Sequence, residues 1–345
     1  MKTTTYLLIC VCFCFGFVGC APREARLLTT PVDPASDWDL TAVTEHVLYF
    51  NSIESEGRKT GTRGYFHSAN YVAARLKEYR LHPTLLDEYR QQVAIKLRTP
   101  ERIRIYLSER DTLNLVQGQD FILLPTQDDF DVLYSPAITS QIQAGRYKLT
   151  EEVRSQEQIT TGAIHVGGFI PGRHPVLRDS LVIVLAPLDG MGIQGLISYT
   201  DGSDFGIASA ALLEFVRRFS VMQDRWSFFG PSVLVQFVSG TRQGCQGPEA
   251  ALRNLPWDKK RVQTIIVMDD AQNPSCDWSK LIREQKILAP LHTLHPNEWA
   301  LPEAGTMPFY PLVRRDRRIR TPELSFVVQE ALKMSSATME LILAN

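Results

Sequence analysis

The stretch HVGGFIPGRHPVLRDSLVIVLAPLDGMGIQGLISYTDGSDFGIASAALLEFVRRF, residues 165–219, decides the fold. Apolar residues run unbroken from Leu181 to Ala186, the pattern of a strand covered on both faces. A glycine-rich loop follows. Then Ala208, Ala211, Leu212, Phe215 and Val216 recur at the spacing of one helix face, which predicts a helix over 205–219. Strand, loop and helix in that order are half of an α/β unit. In such folds ligands gather beyond the carboxyl ends of the strands. Asp189, just past the strand, and Asp204, at the mouth of the helix, stand in that place.

Outward from this unit the same alternation continues. Ser232–Val238 and Val262–Met268 read as further buried strands, and helices are expected at 39–50, 65–79, 247–254, 276–286 and 322–337. Period-two alternation at 93–97 and 102–107, and the run 120–124, suggest strands, with a polar turn at 125–131. Pro290–Pro311 reads as loop. Together these predict a three-layer α/β/α domain over 39–345 with a mostly parallel mixed sheet, and a small β insert at about 108–160.

The chain has 345 residues, 44% hydrophobic and 22% charged, with a formal net charge of −1. That composition supports a large core and offers no electrostatic case for nucleic-acid binding. Residues 1–19 read as a signal segment, with Lys2 before an apolar stretch from Tyr6 to Val18. It ends in Phe17-Val18-Gly19-Cys20, similar to a bacterial lipobox, in which Cys20 would become the lipidated first residue. The alternatives are an ordinary cleaved signal and a short membrane anchor. On the lipoprotein reading, residues 20–38 are a polar linker tethering an exported domain to a membrane of the bacterial cell envelope, the outer membrane being the expected one. Of the six cysteines only Cys245 and Cys276 lie beyond Cys20, either paired or as buried thiols, so neither a disulfide scaffold nor a cysteine metal cluster is expected.

Residues 165–219 resemble the core of the secreted co-catalytic di-zinc aminopeptidases and their glutaminyl-cyclase relatives. Their pattern is a glycine-rich lead-in, a strand ending Ala-His-x-Asp, and Asp-Asn-Ala-Ser-Gly opening a helix. Here the strand ends Ala186-Pro187-Leu188-Asp189, and the later segment reads Ser203-Asp204-Phe205-Gly206. The N-terminal Gly57-Arg58-Lys59-Thr60-Gly61-Thr62, feeding a helix that ends near Leu81-His82-Pro83, resembles the family's Gly-Arg-x-x-Gly-Thr segment.

The resemblance implies a zinc pair held by five chain positions, one carboxylate bridging the ions and a glutamate serving as base. Position by position, the first histidine is Pro187, the bridging aspartate is kept as Asp204, and the Glu-Glu pair after Phe237-Val238-Ser239-Gly240 becomes Thr241-Arg242. Asp269 or Asp270 matches the fourth position, and the last histidine has no clean counterpart, His292 and His295 being in its region. Proline has no ligand atom, threonine is no carboxylate base, and arginine is a permanent cation. The family's counterpart of Asp189 orients the missing histidine; without it, Asp189 reads as a loop-stabilising acid and Asp204 equally as a helix cap.

Arg314, Arg315, Arg317, Arg318 and Arg320 form a basic run that would suit an anion or a solvated face. Trp278 and Trp299 suit a cleft wall or ordinary packing. No Gly-x-Ser-x-Gly elbow, P-loop or dinucleotide fingerprint occurs. The expectation is an exported, aminopeptidase-like chain without cofactor, binding a peptide, glycan or protein. The alternatives are a zinc enzyme with a rearranged site using Asp204, Asp269 and His292 or His295, and a metal-free hydrolase in the same cleft.

Overall fold

In a computed structural model of the chain, which describes residues 39–345 except 85–87, 109–111, 126–129, 146–147, 195–196, 200–205, 226–229, 270–275, 295–320 and 344–345, the central strand runs from Leu181 to Pro187 with every residue buried. In chain order the elements are α1 (Leu40–Phe50), α2 (Arg63–Glu78), β1 (His82–Pro83), β2 (Arg90–Ser108), β3 (Thr112–Asn114), β4 (Phe121–Pro125), β5 (Phe130–Tyr134), α3 (Pro136–Gln143), β6 (Lys148–Ile170) and β7 (Leu181–Pro187). There follow β8 (Gly192–Gln194), β9 (Ile197–Tyr199), α4 (Ile207–Arg225), β10 (Ser232–Val238), α5 (Gln246–Arg253), β11 (Val262–Met268), α6 (Trp278–Glu284), β12 (Leu291–Leu294) and α7 (Thr321–Leu343).

The main sheet has the order β12-β11-β7-β10-β6-β2-β3, with β1 also on β6. Around β7 the pairing is parallel, to β10 on one side and β11 on the other, and β12 continues it. From β10 outward through β6, β2 and β3 it is antiparallel. The sheet is therefore mixed, with its parallel half where the apolar runs are unbroken.

Successive side chains of a strand point to opposite faces, and β7 divides accordingly. Val182, Val184 and Ala186 pack with Val47 of α1, Val72 of α2, Phe215 of α4 and Ala331 of α7. Leu181, Ile183 and Leu185 pack with Leu252 of α5 and with Leu281 and Ile282 of α6. Both faces are covered by helices, which makes the architecture three-layered. On α4, Glu214 is fully buried and accepts two hydrogen bonds from the Arg217 guanidinium, both at 2.7 Å, and one from the Asp39 amide that leads into α1.

Four details depart from the sequence reading. The strands expected at 93–97 and 102–107 are one strand, β2; Pro100, which lacks an amide hydrogen, sits where the register with β6 shifts. Pro290–Pro311 is not all loop, since Leu291–Leu294 adds the edge strand β12, too short and too polar at His292 and Thr293 to show a strand pattern. Helix α3 was not expected; Ser135 caps it through Ile138 N, and Pro136 occupies its first turn. Helix α4 runs on to Arg225, and α7 to Leu343.

The segment between β2 and β6 carries its own apolar cluster. Leu115, Phe121, Leu123 and Ile138 pack with Ile105 and Leu107 of β2, and β4 and β5 form a separate hairpin. Cys245 and Cys276 form a disulfide with their Cα atoms 4.9 Å apart, tying the start of α5 to the segment before α6. The bridge closes a loop with a sequence separation of 31, and closing such a loop stabilises a fold by about 2–4 kcal/mol. Reductant is therefore expected to lower the urea midpoint, and the paired change Cys245→Ala with Cys276→Ala to lower it equally and to abolish the effect of reductant. A midpoint indifferent to both would mean that the bridge contributes nothing.

Candidate functional site

Beyond the carboxyl ends of β7 and β10 the chain brings three segments onto one carboxylate. Asp189 is buried, and each of its oxygens accepts two hydrogen bonds. Oδ1 accepts from the amide of Thr241 at 3.2 Å and from its hydroxyl at 2.5 Å. Oδ2 accepts from the Thr60 hydroxyl at 3.0 Å and from the Arg242 amide at 3.3 Å. The Thr60 hydroxyl in turn accepts from the Gly240 amide at 3.2 Å, using its donor and an acceptor at once.

Arg58 reinforces the same junction. It is buried, donates to the carbonyls of Leu188 and Phe50, and lies 5.4 Å from the centre of the Phe50 ring. The Gly190 amide donates back to the Arg58 carbonyl at 3.0 Å. The Gly57–Thr62 loop is thus the clamp on the loop that follows β7.

The sequence-derived positions fall as follows. Pro187 ends β7, and its carbonyl accepts from the Ser209 hydroxyl of α4 at 2.6 Å. Thr241 and Arg242 lie beside Asp189, both buried. Asp269, after β11, is buried and accepts from the Trp278 indole at 2.7 Å, which places that tryptophan in packing rather than in a cleft wall. His292 lies on the edge strand opposite Ile266. Asp204, Asp270, His295, Trp299, Cys20 and the arginines at 314, 315, 317, 318 and 320 lie outside the described residues.

These residues do not fit a zinc pair. Pro187 offers no donor atom, the Thr241 hydroxyl gives its hydrogen to Asp189, all four hydrogen bonds onto Asp189 occupy its oxygens, and Arg242 brings a positive charge. Among the described residues no group of three or more His, Cys, Asp or Glu is placed to hold a metal ion.

Beside this junction lies a cavity of about 180 Å³. It is lined by the polar Lys59, Gln117, Arg242 and Gln243 and by the apolar Pro100, Leu123, Phe130, Met191 and Ile193. The insert between β2 and β6, the 57–62 loop and the loops after β7 and β10 all contribute to the lining. Burial pushes the Lys59 ammonium below its ordinary range. Gly192, at φ +77°, packs on the Lys59 stem, where a Cβ would come within 2.4 Å of Lys59 Cβ.

A second buried polar group supports the loop from below. The Ser239 amide donates to His165 Nδ1 at 3.1 Å, which requires that nitrogen to be unprotonated. The Tyr65 hydroxyl accepts from the Ile164 amide at 2.7 Å and meets the Ser239 hydroxyl, which itself donates to the Ile164 carbonyl. Burial lowers the His165 pKa to about 4 and pushes that of Tyr65 well above its ordinary value. The serine hydroxyl faces the tyrosine and not the imidazole, so this is no Ser-His nucleophile arrangement. Gly247 fits beneath the loop because it lacks a side chain; a Cβ there would lie 1.4 Å from the Ser239 carbonyl oxygen.

Lys59, Thr60, His165 and Ser239 were not singled out from the sequence. The one available signal was the Gly-Arg-x-x-Gly-Thr loop, whose two unspecified positions are Lys59 and Thr60.

No protein-family model matches the chain, and no curated protein matches it. Among solved structures, it resembles an aminopeptidase from Aneurinibacillus sp. strain AM-1, with a TM-score of 0.51 and 11% identity over 88% of this chain and 93% of that one. A zinc aminopeptidase from Bacillus subtilis follows at TM-score 0.48, 10% identity, 88% of this chain and 95% of that one. Glutaminyl cyclase from Porphyromonas gingivalis gives 0.46, 11%, 87% and 99%. At such identities the first likeness shows the fold, which is the aminopeptidase-like α/β/α architecture anticipated above.

Asp189→Asn would place an amide NH2 against two donors, and is expected to cost about 2–3 kcal/mol in urea unfolding. Gly247→Ala should destabilise more severely, because the clash is with backbone; a variant as stable as the parent would refute that packing. For His165 the unfolded state binds a proton near pH 6.5 and the folded state only near 4. Stability is then full above pH 6.5 and is lost as the pH falls from 6.5 through 4, by on the order of 3 kcal/mol. His165→Gln, which keeps an acceptor for Ser239 N, should flatten part of that slope in urea midpoints taken at pH 7 and pH 4.5; an unchanged slope would exclude His165 as its source.

Proposed function

We propose that this chain is a catalytically inactive relative of the zinc aminopeptidases and glutaminyl cyclases, exported and lipid-anchored through Cys20 in the bacterial cell envelope, and that it serves as a binding protein. The observation that carries the reading is the replacement at the strand ends. Where the resemblance calls for a general base and a metal ligand, Thr241 is committed to Asp189 through both its amide and its hydroxyl, and Arg242 supplies a fixed positive charge. Pro187 removes a further ligand position at the end of β7, where its carbonyl accepts from the Ser209 hydroxyl. What is left is a buried, fully hydrogen-bonded junction beside a cavity, an arrangement suited to holding a molecule rather than to activating water.

The aminopeptidase-like scaffold and the composition of the site support inactivity. The signal segment, the Cys20 lipid and the outer-membrane location rest on residues 1–38 of the sequence. Metal analysis of protein purified without chelator is expected to find no stoichiometric zinc. A panel of aminoacyl amides should show no hydrolysis above that of a Thr241→Ala control. One zinc or more per chain together with chelator-sensitive hydrolysis would overturn the reading. Lipidation is checked by intact-mass analysis of membrane-extracted protein, where Cys20→Ser should yield a soluble product without the acyl mass.

A further inference from the structure

Lys59 lines the cavity beside the Asp189 junction, and its main chain is fixed on both sides. Arg58 before it is tied to the Leu188 and Phe50 carbonyls, and Thr60 after it to Asp189. The Lys59 carbonyl itself accepts from the Thr62 amide at 3.0 Å and from the Thr62 hydroxyl at 2.7 Å. The stem is held as well, since Gly192 packs so closely that a Cβ there would lie 2.4 Å from Lys59 Cβ and 3.2 Å from its Cδ. Gly190, Met191 and Ile193, neighbours of that glycine, line the cavity together with Lys59. The amine thus departs from a stem that is already positioned, and little ordering is left for a ligand to impose.

The side chain is half-buried, and no acid offsets its loss of water: no carboxylate is among the described residues that line the cavity, and none of the described carboxylates pairs with Lys59. Burial accordingly pushes the Lys59 pKa below the ordinary lysine value, which raises the share of neutral amine near pH 7. A neutral amine is a nucleophile toward carbonyl carbon, and an ammonium is not. The apolar residues of the lining, Leu123, Phe130 and Met191 among them, favour a ligand whose body is apolar, and a cavity of about 180 Å³ suits a small one.

From this juxtaposition we infer that the cavity takes a small apolar aldehyde and that Lys59 holds it as an imine. The Lys59 nitrogen attacks the carbonyl carbon and a C–N bond forms. The carbonyl oxygen then leaves as water with the two amine hydrogens, and the C=N bond closes; nothing is oxidised or reduced. Water reverses the step, so the bond is compatible with a protein that binds and releases. The inference rests on the metal-free binding reading of the site.

The test is treatment of the full chain in EDTA with benzaldehyde and sodium cyanoborohydride, which reduces the imine to a stable secondary amine, followed by peptide mapping. Holding the aldehyde against the amine should put Lys59 about tenfold or more ahead of the other lysines in rate. Benzyl alcohol, which has the apolar body and no carbonyl, should slow the labelling of Lys59 and leave that of the other lysines unchanged. Formaldehyde, too small to use the apolar lining, should show a smaller preference for Lys59. In Lys59→Arg, which keeps the charge, the fast adduct should vanish. Benzaldehyde labelling of Lys59 at the rate of the other lysines, an indifference to benzyl alcohol, or an equal preference with formaldehyde overturns the imine site. Stoichiometric zinc with chelator-sensitive hydrolysis overturns instead the metal-free reading beneath it.

Discussion

Four neutral donors meet on the Asp189 carboxylate, and the arrangement of the strand ends depends on that meeting. A carboxylate out of water is tolerable only when its oxygens are fully hydrogen-bonded, and here the donors come from places far apart in the chain. Thr60 lies 129 residues before Asp189, and Thr241 lies 52 after it. Satisfying one buried charge therefore fixes the Gly57–Thr62 loop, the loop after β7 and the loop after β10 against one another. The Arg242 contribution to the Asp189 carboxylate comes from its amide, and the same residue is among those that line the cavity.

The arrangement accommodates a threonine and an arginine where the resemblance would place acids. A threonine at this point has a donor that a glutamate lacks, and Asp189 takes it. The absence of a histidine at Pro187 leaves Asp189 without the partner the resemblance would give it, and the backbone and hydroxyl of Thr241 supply new ones. Thr241 and Arg242 thereby take up hydrogen-bonding roles on Asp189.

Much of the fold was readable from residue order because the strands around β7 are buried on both faces. The runs 181–186, 232–238 and 262–268 are apolar without interruption, and the structure places strands there within one residue. Legibility fails where burial is partial or elements are short. Strand β12 has four residues with an imidazole and a hydroxyl among them, and Pro100 hid the continuity of β2. At the site, Pro187, Thr241 and Arg242 stood out because the resemblance calls for other residue types at those places, and the structure brings Thr241 and Arg242 onto Asp189. Lys59, Thr60, His165 and Ser239 carried no such signal. Their roles arise from contacts such as that between Gly240 and Thr60, 180 residues apart, which no local pattern encodes.

The same long separations govern when the cavity can exist. A chain emerging from its amino terminus could pair β2 with β6 once residue 170 is available, since that hairpin needs nothing further on. The clamp loop at 57–62 is made early as well, yet it has nothing to grip until Asp189 and then Gly240 arrive. Each such closure costs entropy that rises with the length of chain enclosed, and contacts of this range form late. The disulfide adds one more wait, until Cys276 can reach Cys245 just beyond the loop after β10. The cavity thus draws together residues as far apart in the chain as Lys59 and Gln243, and a chain that stops short of residue 242 has the clamp loop but lacks that part of the cavity lining.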